Sequence, residues 1–403
     1  MREYILLFYD LFLLIMALYG VYFGAVSLGF LLKKRPAPPP EGHLRFAVLI
    51  AARNEEECIA GIVESIKGQD YPSGLADVYV IPNNCTDRTE EAAMQAGAKI
   101  IRVSPSVCSK GQALHEAFAH LLKTEKHDAY CVFDADNEAN PSFLSHMNAA
   151  LSSGARAAKS RILAKNPHEG ILCACYETYF CNANLFLNCA RHKLNLSSRL
   201  IGTGFAVRRD LMEELDGWNT TSLTEDAEFY AALSARGEQI IFVPGAVTYD
   251  EQPLTVRESL IQRRRWMSGV MGVTGQKFSA LLQGCVGKKG RRFSFDALMQ
   301  LSFAFVQAWV IPIFLLRLCA DPVGTLTALP GGVLRFYLST LLLGAVSLLL
   351  ERRLNLRTAP ALPLYPLFIF SFLPLQTLSL FCPNKKWVPI RHRGVRIYGV
   401  PAK

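Results

Sequence analysis

Hydrophobic residues are distributed unevenly along this chain of 403 residues. Residues 4–32 form an almost continuous apolar run, and further apolar segments follow at residues 295–318, 333–350 and 361–381. Because about 20 apolar residues cross a hydrocarbon core, each segment is a candidate membrane span. A signal peptide is the alternative for the first run, but the run is long for one, and basic residues follow it instead of a small-residue cleavage site. The pattern predicts an N-terminal anchor and several C-terminal spans.

Between these segments the chain alternates short apolar runs with amphipathic stretches. Apolar runs that predict buried strands lie at residues 46–52, 78–81, 99–103 and 130–133. Apolar residues at helical spacing separate them, and Asn54 with Glu57 resembles a capping box for the first helix. The alternation predicts an α/β fold with a parallel, Rossmann-like sheet. Ligands of such sheets bind beyond the carboxyl ends of the strands.

The pattern divides the chain into four parts. We expect a transmembrane anchor over residues 1–34, a catalytic α/β domain over 35–275, transmembrane segments over 276–383 and a basic tail over 384–403. The second part opens with a proline-rich stretch, residues 35–40, which predicts a stiff extended linker.

Charge indicates the orientation of the chain in a membrane. The net charge is +9, and the basic residues cluster beside the apolar segments, at residues 33–35, 288–292, 352–357 and 385–396. This placement predicts a multi-pass protein of the cell membrane with its central domain in the cytosol, and it argues against nucleic-acid binding. Three C-terminal crossings would place the basic tail outside, against its charge. The last segment holds three prolines and can instead be kinked or re-entrant, so the number of crossings stays open.

Two acidic pairs are candidates for chemistry. Asp134 and Asp136 follow the strand at 130–133, where carboxylates can hold Mg²⁺ or Mn²⁺ together with substrate phosphates. A solvated turn is the alternative. Glu225 and Asp226 form the second pair, in which a carboxylate could accept the proton of an acceptor hydroxyl. Their alternative is an acidic helix start capped by Thr224. All 11 cysteines lack zinc-site spacing, which is typical of core residues in a reducing cytosol.

Basic and aromatic residues follow at 262–266. Arg265 can clamp a diphosphate, and Trp266 offers a flat face for a sugar ring. An interfacial amphipathic helix is the alternative. Lys110 opens a predicted helix, where it could hold phosphate, although an isolated lysine is more often an ordinary surface residue.

In this order and spacing, these segments resemble the family 2 glycosyltransferases with a GT-A catalytic domain. The closer resemblance is to membrane synthases of β-glycans: the cellulose, chitin, hyaluronan and poly-N-acetylglucosamine synthases. It covers about residues 45–275, ends on a QxxRW motif just before the C-terminal segments, and adds flanking helices.

The resemblance implies a role for each matching position. Asp226 would be the general base, and Asp136 the principal metal ligand with Asp134 beside it. The positions implied in substrate binding are Arg53, Asn83, Lys110, Asp134, Gly204, Glu225, Gln262, Arg265 and Trp266. Asn83 stands where the family usually has an aspartate that contacts uracil. Its amide oxygen can still accept a hydrogen bond, but without the charge.

These positions lead to two enzyme hypotheses. The first is an inverting hexosyltransferase that extends a β-linked polysaccharide from a UDP-sugar with Mg²⁺ or Mn²⁺. The second is a transferase that adds a single sugar to a membrane lipid. A catalytically inactive membrane subunit is the third reading, motivated by Asn83. The sequence names neither the sugar nor any partner subunit.

Overall fold

The computed structural model describes residues 1–34, 40, 42–384 and 392–397. Apart from Pro40, the predicted linker lies outside the described residues, and so do residues 385–391 and 398–403 of the predicted basic tail.

Strands and helices alternate through the first half of the chain. The strands are β1 (Phe46–Ala52), β2 (Ala76–Pro82), β3 (Lys99–Ile100), β4 (Ala129–Asp134), β5 (Glu138–Ala139), β6 (Ala157–Ala164), β7 (Phe205–Arg208) and β8 (Ile240–Asp250). The helices up to the last strand are α1 (Arg2–Ser27), α2 (Ile59–Lys67), α3 (Thr89–Gln95), α4 (Lys110–Thr124), α5 (Phe143–Ser152), α6 (Ile171–Asn182), α7 (Ala190–Lys193), α8 (Arg209–Glu214) and α9 (Glu225–Arg236).

The second half is helical. Its helices are α10 (Val256–Val286), α11 (Arg291–Gln307), α12 (Val310–Ala320), α13 (Pro322–Leu350), α14 (Tyr365–Phe370) and α15 (Phe372–Phe381). The 3₁₀ segments are Leu28–Leu31 and Ala359–Leu364, and Ala183–Cys189 is π-helical. The predicted domain boundary at residue 275 falls inside α10, which runs without a break from the α/β region to the apolar helices.

The strands form one sheet in the order β3-β2-β1-β4-β7-β6-β8-β5. The first four positions are parallel, as the sequence predicts, whereas β7 runs antiparallel to both of its neighbours. The sheet is therefore mixed and only its first half is Rossmann-like. This order brings the carboxyl ends of β2, β1 and β4 side by side at one edge.

Apolar side chains alternate between the two faces of the sheet. Leu49 of β1 packs in the core cluster that includes Phe118 of α4 and Trp218, while Val48 and Ile50 pack in the cluster of the opposite face. Because both faces are covered, β1 is apolar throughout. The covered sheet is a rigid platform for the side chains at its edge.

The loop after β1 departs from the sequence prediction. Asn54 does not cap a helix, because α2 begins only at Ile59. Instead Asn54 has a φ of +58°, and its Oδ1 accepts a hydrogen bond from the backbone N–H of Thr86 at 2.7 Å. Asparagine tolerates this left-handed conformation better than most residues, so the side chain joins two loops at the edge of the sheet.

Three helical segments within the described residues are long and apolar enough to cross a membrane: Arg2–Leu31, Pro322–Leu350 and Ala359–Phe381. Helices α11 and α12 would together form a fourth, with a bend of 44° between them. These segments agree with the four apolar runs of the sequence, although the second run is a bent pair and the last is interrupted.

The ends of these segments have distinct neighbours. Helix α1 begins at Arg2, which pairs with Asp321 at 3.2 Å in the turn between α12 and α13. Helix α13 runs from that turn to Glu351, which pairs with Arg161 of β6. One end of α13 therefore lies far from the sheet, and the other contacts it.

The last segment, Ala359–Phe381, contacts the α/β region at both ends. Near its beginning, Asn182 of α6 donates to the hydroxyl of Tyr365 at 2.9 Å. Just after its end, Arg264 of α10 donates to the carbonyl of Cys382 at 3.0 Å. The segment leaves the domain and returns to it.

Candidate active site

A cavity of about 670 Å³ opens at the edge where β1, β2 and β4 end. Arg53 follows β1, Asn83 follows β2, and Asp134 ends β4, so the sheet order alone places these three residues at the same edge. All but one of the predicted site residues line this cavity. They are Arg53, Asn83, Lys110, Asp134, Asp136, Glu225, Asp226, Gln262, Arg265 and Trp266.

Gly204 is the exception. It is buried beneath the cavity wall with a φ of +64°, and an added Cβ would lie 2.1 Å from the Thr248 hydroxyl and 2.4 Å from that of Ser160. A side chain would collide there, so glycine is required by packing and backbone conformation. The structure gives Gly204 no contact with the cavity that would support the predicted role in binding substrate.

Lys110 joins the two acidic pairs. Its Nζ lies 2.5 Å from Asp134 Oδ1 and 2.8 Å from Glu225 Oε1. Ser109 caps α4 by accepting from Gln112 N–H, which fixes the helix start that carries Lys110. Burial acts to lower the pKa of Lys110, but the two carboxylates outweigh it and raise the pKa above its ordinary value. Lys110 is therefore a fixed positive charge inside the cavity.

Asp136 is a buried carboxyl group, and Asp250 is a partly buried one. Asp136 is 6 % exposed, and burial raises its pKa above the usual value. Burial also raises the pKa of Asp250, and the nearby charge of Asp136 adds to the effect. Asn137 donates to Asp250 Oδ1 at 2.9 Å and so connects the turn after β4 to the end of β8.

Asp226 lies in the first turn of α9 and accepts a hydrogen bond from the backbone N–H of Gly202 at 2.5 Å. Gly202 has a φ of +60°, which turns its N–H towards the helix. Thr224 is the residue before α9, but its side chain makes no capping hydrogen bond. Glu225 and Asp226 therefore lie both in the first turn of α9 and in the cavity wall. An acidic helix start and a role in chemistry do not exclude each other.

The QxxRW motif lies on α10 between the sheet and the apolar helices. Gln262 Oε1 accepts from the hydroxyl of Tyr176 at 3.1 Å. Arg263 is 2 % exposed and packs against the rings of Phe368 and Phe372, 4.4 and 4.8 Å from their centroids. Arg263 therefore anchors α14 and α15 onto α10.

Trp266 stands at the junction of the two regions. Its ring stacks on Tyr179 of α6 with centroids 6.4 Å apart and an angle of 20°. Tyr179 stacks in turn on Phe372 of α15, at 5.9 Å. The aromatic stack therefore connects the cavity lining of the α/β domain with that of the last apolar segment.

Asn83 is 5 % exposed, and its Oδ1 has no hydrogen-bond partner among the residues that the structure describes. Its Nδ2 is 3.5 Å from the carbonyl of Ser109, so the amide nitrogen faces α4. A buried acceptor without a partner costs stability unless a ligand supplies a donor. This oxygen is suited to an N–H group of a bound base.

Sequence reasoning missed several residues of the cavity. His392 Nδ1 lies 3.0 Å from Glu55 Oε2, and its Nε2 lies 3.6 Å from Asp136 Oδ2. The charge pattern of the sequence predicts that His392 belongs to a basic membrane flank. In the structure, residues 392–397 lie against the α/β domain, where the Arg393 N–H donates to Glu251. No local pattern predicts the contact between His392 and Glu55, because the two residues are more than 300 positions apart.

The far end of the cavity is apolar. Side chains of the long helices line it, namely Met16, Phe303, Ala304, Val310, Phe336, Ile369, Phe372 and Leu373. One continuous space thus extends from the acidic edge of the sheet to helices suited to a membrane.

This mixed sheet, with an acidic cavity at the strand ends and flanking apolar helices, has the GT-A glycosyltransferase fold that the sequence predicts. The family model "Glycosyltransferase like family 2" matches residues 42–269. The chain belongs to this family.

The proteins similar to this chain include two curated relatives and one mannosyltransferase of known structure. It is 29 % identical over 241 residues to "Probable glycosyltransferase YdaM" of Bacillus subtilis, covering 56 % of this chain and 55 % of the relative. It is 26 % identical over 246 residues to "Beta-monoglucosyldiacylglycerol synthase" of Nostoc sp., covering 57 % and 50 %. The chain thus spans about half the length of these curated relatives. The mannosyltransferase PcManGT from Pyrobaculum calidifontis, solved with GDP-Man and Mn²⁺, shares the fold at a TM-score of 0.65 and 18 % identity over 94 % of this chain and 99 % of that one.

Proposed function

We propose that this protein is a membrane-bound inverting glycosyltransferase that transfers one sugar from a UDP-sugar to a hydroxyl group of a membrane lipid. The observation that carries the proposal is the single cavity with an acidic end at the sheet and an apolar end between the long helices. A donor rich in phosphate suits the first end and acyl chains suit the second.

The donor would lie along the sheet edge. Asn83 Oδ1 would accept from the uracil N3–H, and the positive charges of Lys110 and Arg265 would face the diphosphate. The charge of Arg265 already acts on Asp134, whose pKa is lowered despite burial, with Lys110 as the larger influence. Guanidinium and ammonium groups are the usual partners of phosphate in such sites.

The residues present fit a divalent cation. Asp134 and Asp136 offer carboxylate oxygens at the cavity wall, as Mg²⁺ and Mn²⁺ prefer, and burial makes the charge on Asp136 unfavourable unless a cation compensates it. His392 offers an imidazole nitrogen, which Mn²⁺ also accepts. A bound ion would offset the negative charge that develops on the leaving diphosphate.

Asp226 is the candidate base for the transfer. Its Oδ2 is held by Gly202 N–H, which leaves Oδ1 for the acceptor hydroxyl. That hydroxyl oxygen would attack the anomeric carbon as its proton moves to the carboxylate, and the bond from this carbon to the diphosphate oxygen would break. The sugar would gain a β-linkage to the acceptor, with nucleoside diphosphate as the second product.

A membrane lipid is preferred here over the growing polysaccharide of the first enzyme hypothesis. The name "Beta-monoglucosyldiacylglycerol synthase" of relatives that match 57 % and 55 % of this chain supports a lipid acceptor rather than a growing β-glycan. The apolar end of the cavity supports the same choice, because a polysaccharide chain would gain little from contact with Met16, Phe303 and Leu373.

The contacts at the ends of the apolar segments support a topology in which these segments lie in the cell membrane and the α/β domain lies in the cytosol. Helices α1, α11–α12 and α13 would cross, because the turn at Asp321 meets the start of α1 far from the sheet. Ala359–Phe381 would re-enter from the cytosolic side, because both of its ends contact the domain. The chain would then return residues 392–397 to the cytosol, which agrees with their charge.

Product analysis tests this function. Purified full-length protein is incubated with Mn²⁺, radiolabelled UDP-sugars and lipid micelles, and the products are separated by organic extraction and by size. We expect label in the organic phase as a single-sugar lipid. Label only in a water-soluble polymer would refute the lipid acceptor, and release of UDP without either product would refute the transfer.

A further inference from the structure

Three polar side chains lie in the cavity wall that none of the roles above employs. Gln300 of α11 and Gln376 of α15 line the cavity together with Arg199, which lies between α7 and β7. A membrane-facing cavity that held only acyl chains would gain nothing from them, because buried polar groups cost stability unless they are satisfied.

Arg199 carries a charge without a partner in this structure. Its guanidinium makes no hydrogen bond or ion pair within residues 1–34, 40, 42–384 and 392–397, although Arg199 is only partly exposed. Its backbone is fixed, since the N–H donates to Asn188 Oδ1 at 2.9 Å and the carbonyl accepts from Asn188 Nδ2 at 3.3 Å. A fixed, partly buried cation in a cavity suits an anionic group of a ligand.

The side-chain oxygens of the two glutamines accept no hydrogen bond from the described residues. Each glutamine is 4 % exposed, so both oxygens are buried. The orientation of Gln300 is fixed, because its Nε2 donates to Asp296 Oδ2 at 2.8 Å and to the Tyr230 hydroxyl at 2.7 Å. Turning the amide would point its oxygen at a carboxylate. These buried oxygens therefore suit hydroxyl groups of a ligand.

Arg199 and Gln300 share a neighbour in Tyr230, and Gln376 lies one helical turn after Phe372, whose ring stacks on Tyr179. The charge of Arg199 acts on the hydroxyl of Tyr230, the same hydroxyl that accepts from Gln300. Arg199 also acts on Tyr179, whose ring stacks on Trp266. This cluster therefore borders the aromatic stack where the polar and apolar parts of the cavity meet.

The cluster is also close to the candidate base. Arg199 precedes Gly202 by three residues, so the two Cα atoms lie within about 11 Å of each other. Gly202 N–H holds Asp226. The segment that carries Arg199 therefore leads directly to the residue that holds Asp226.

We propose that Arg199, Gln300 and Gln376 form the headgroup site of the acceptor, and that the acceptor is an anionic, polyhydroxylated glycerolipid. Its phosphate pairs with Arg199, one hydroxyl donates to a glutamine oxygen, and another hydroxyl is glycosylated beside Asp226. The inference rests on the proposed function and deepens it, because it selects an anionic acceptor over neutral diacylglycerol.

The test compares two lipids that differ in the headgroup. Full-length protein with Mn²⁺ and its preferred UDP-sugar receives phosphatidylglycerol or diacylglycerol at equal mole fraction in neutral detergent micelles. We expect at least about tenfold faster transfer to phosphatidylglycerol, and a loss of that preference in Arg199→Gln through a decrease of about tenfold in transfer to phosphatidylglycerol. Gln376→Leu should lower transfer to phosphatidylglycerol severalfold. Arg236→Gln, an exposed arginine outside the cavity, is the matched control.

Native mass spectrometry of the same variants separates the inference from the proposed function. We expect the wild-type chain and Arg236→Gln to retain phosphatidylglycerol, and Arg199→Gln to lose it. Equal lipid preference in the wild type and Arg199→Gln, or a wild-type preference for diacylglycerol, would overturn the anionic acceptor while leaving transfer to a lipid intact. Absence of any glycolipid product would overturn the proposed function, and lipid retention would then decide the headgroup site on its own.

Discussion

The backbone N–H of Gly202 lies 2.5 Å from Oδ2 of Asp226 and donates a hydrogen bond to it. This contact fixes one carboxylate oxygen in the cavity and leaves the other to face an acceptor. It also joins the segment that follows Arg199 to the start of α9. We therefore propose that the acceptor side of the site is built around these two residues.

Asp226→Asn separates the basicity of this side chain from its position. The amide oxygen can still accept from Gly202, but it cannot take up a proton. We expect sugar transfer to fall by about 10²–10⁴-fold, with the affinity for UDP unchanged in calorimetry. Asp216→Asn, at an exposed position whose φ of +54° asparagine tolerates, is the control. Full transfer by Asp226→Asn would show that another group accepts the proton.

Asp136→Asn tests the metal site. The substitution removes a carboxylate charge at the centre of the acidic edge, so we expect binding of Mn²⁺ to weaken by at least about tenfold. Electron paramagnetic resonance of free Mn²⁺ measures the affinity directly, without any substrate. Asp216→Asn should bind like the wild type. Unchanged affinity in Asp136→Asn would place the ion elsewhere.

Asn83→Ala tests which base the donor carries. Loss of the unpartnered buried oxygen should weaken UDP binding by about five- to tenfold, the worth of one hydrogen bond. Binding of nucleotides without a uracil N3–H at that position should change less. Equal losses for UDP and CDP, whose cytosine N3 carries no hydrogen, would mean that Asn83 supports the loop and does not contact the base.

Lys159 should make stability depend on pH. It is fully buried, its Nζ donates to the carbonyl of Thr203 at 2.6 Å, and burial lowers its pKa from 10.5 to about 7. Between these two values the unfolded chain binds more protons than the folded one, so stability should rise as the pH increases from about 7 to 10. Melting temperatures in detergent should follow this rise. Lys159→Met should flatten it and the exposed-site control Lys123→Met should not; an equal slope in Lys159→Met would contradict the assignment.

Membrane topology can be tested with the exposed cysteines. Cys319 lies two residues before Asp321, whereas Cys382 and Cys108 lie on the side of the α/β domain. In variants that retain one of the three, a membrane-impermeant maleimide should label Cys319 from outside intact cells and the other two only after lysis. Labelling of Cys382 from outside would mean that Ala359–Phe381 crosses the membrane.

The sequence predicts the half of the fold that depends on local pattern. Strand β1 was predicted at its observed bounds, because an apolar run flanked by polar residues is sufficient to define a buried strand. Asp134 and Lys110 were found as candidates because each follows a recognisable strand end or helix start. Their direct ion pair depends on which strands are neighbours, and periodicity carries no information on that.

The rest of the site depends on long-range contacts. His392 lies 3.6 Å from Asp136 although the two are far apart in the chain. Asp250 ends β8, a strand parallel to β6 and antiparallel to β5 that the alternating pattern did not predict. For Gly204 the structure shows a packing reason for glycine, because an added Cβ would collide with Thr248, and its role in substrate binding stays a prediction. Arg199 belongs to no recognisable motif. It becomes a candidate for ligand binding only because its guanidinium has no partner among the residues that the structure describes.

We propose that one cavity binds both a nucleotide-sugar and a lipid, and Ala304→Trp should separate the two kinds of binding. Ala304 lines the apolar end, so an indole there should fill the lipid part and leave the sheet edge intact. The measurement is radiolabelled sugar in extracted lipid, taken beside UDP affinity in the same preparation, with Leu342→Trp, at an exposed position of α13, as the control. We expect Ala304→Trp to bind UDP normally but to lose most lipid glycosylation. Wild-type glycolipid formation by a folded Ala304→Trp would contradict this proposal.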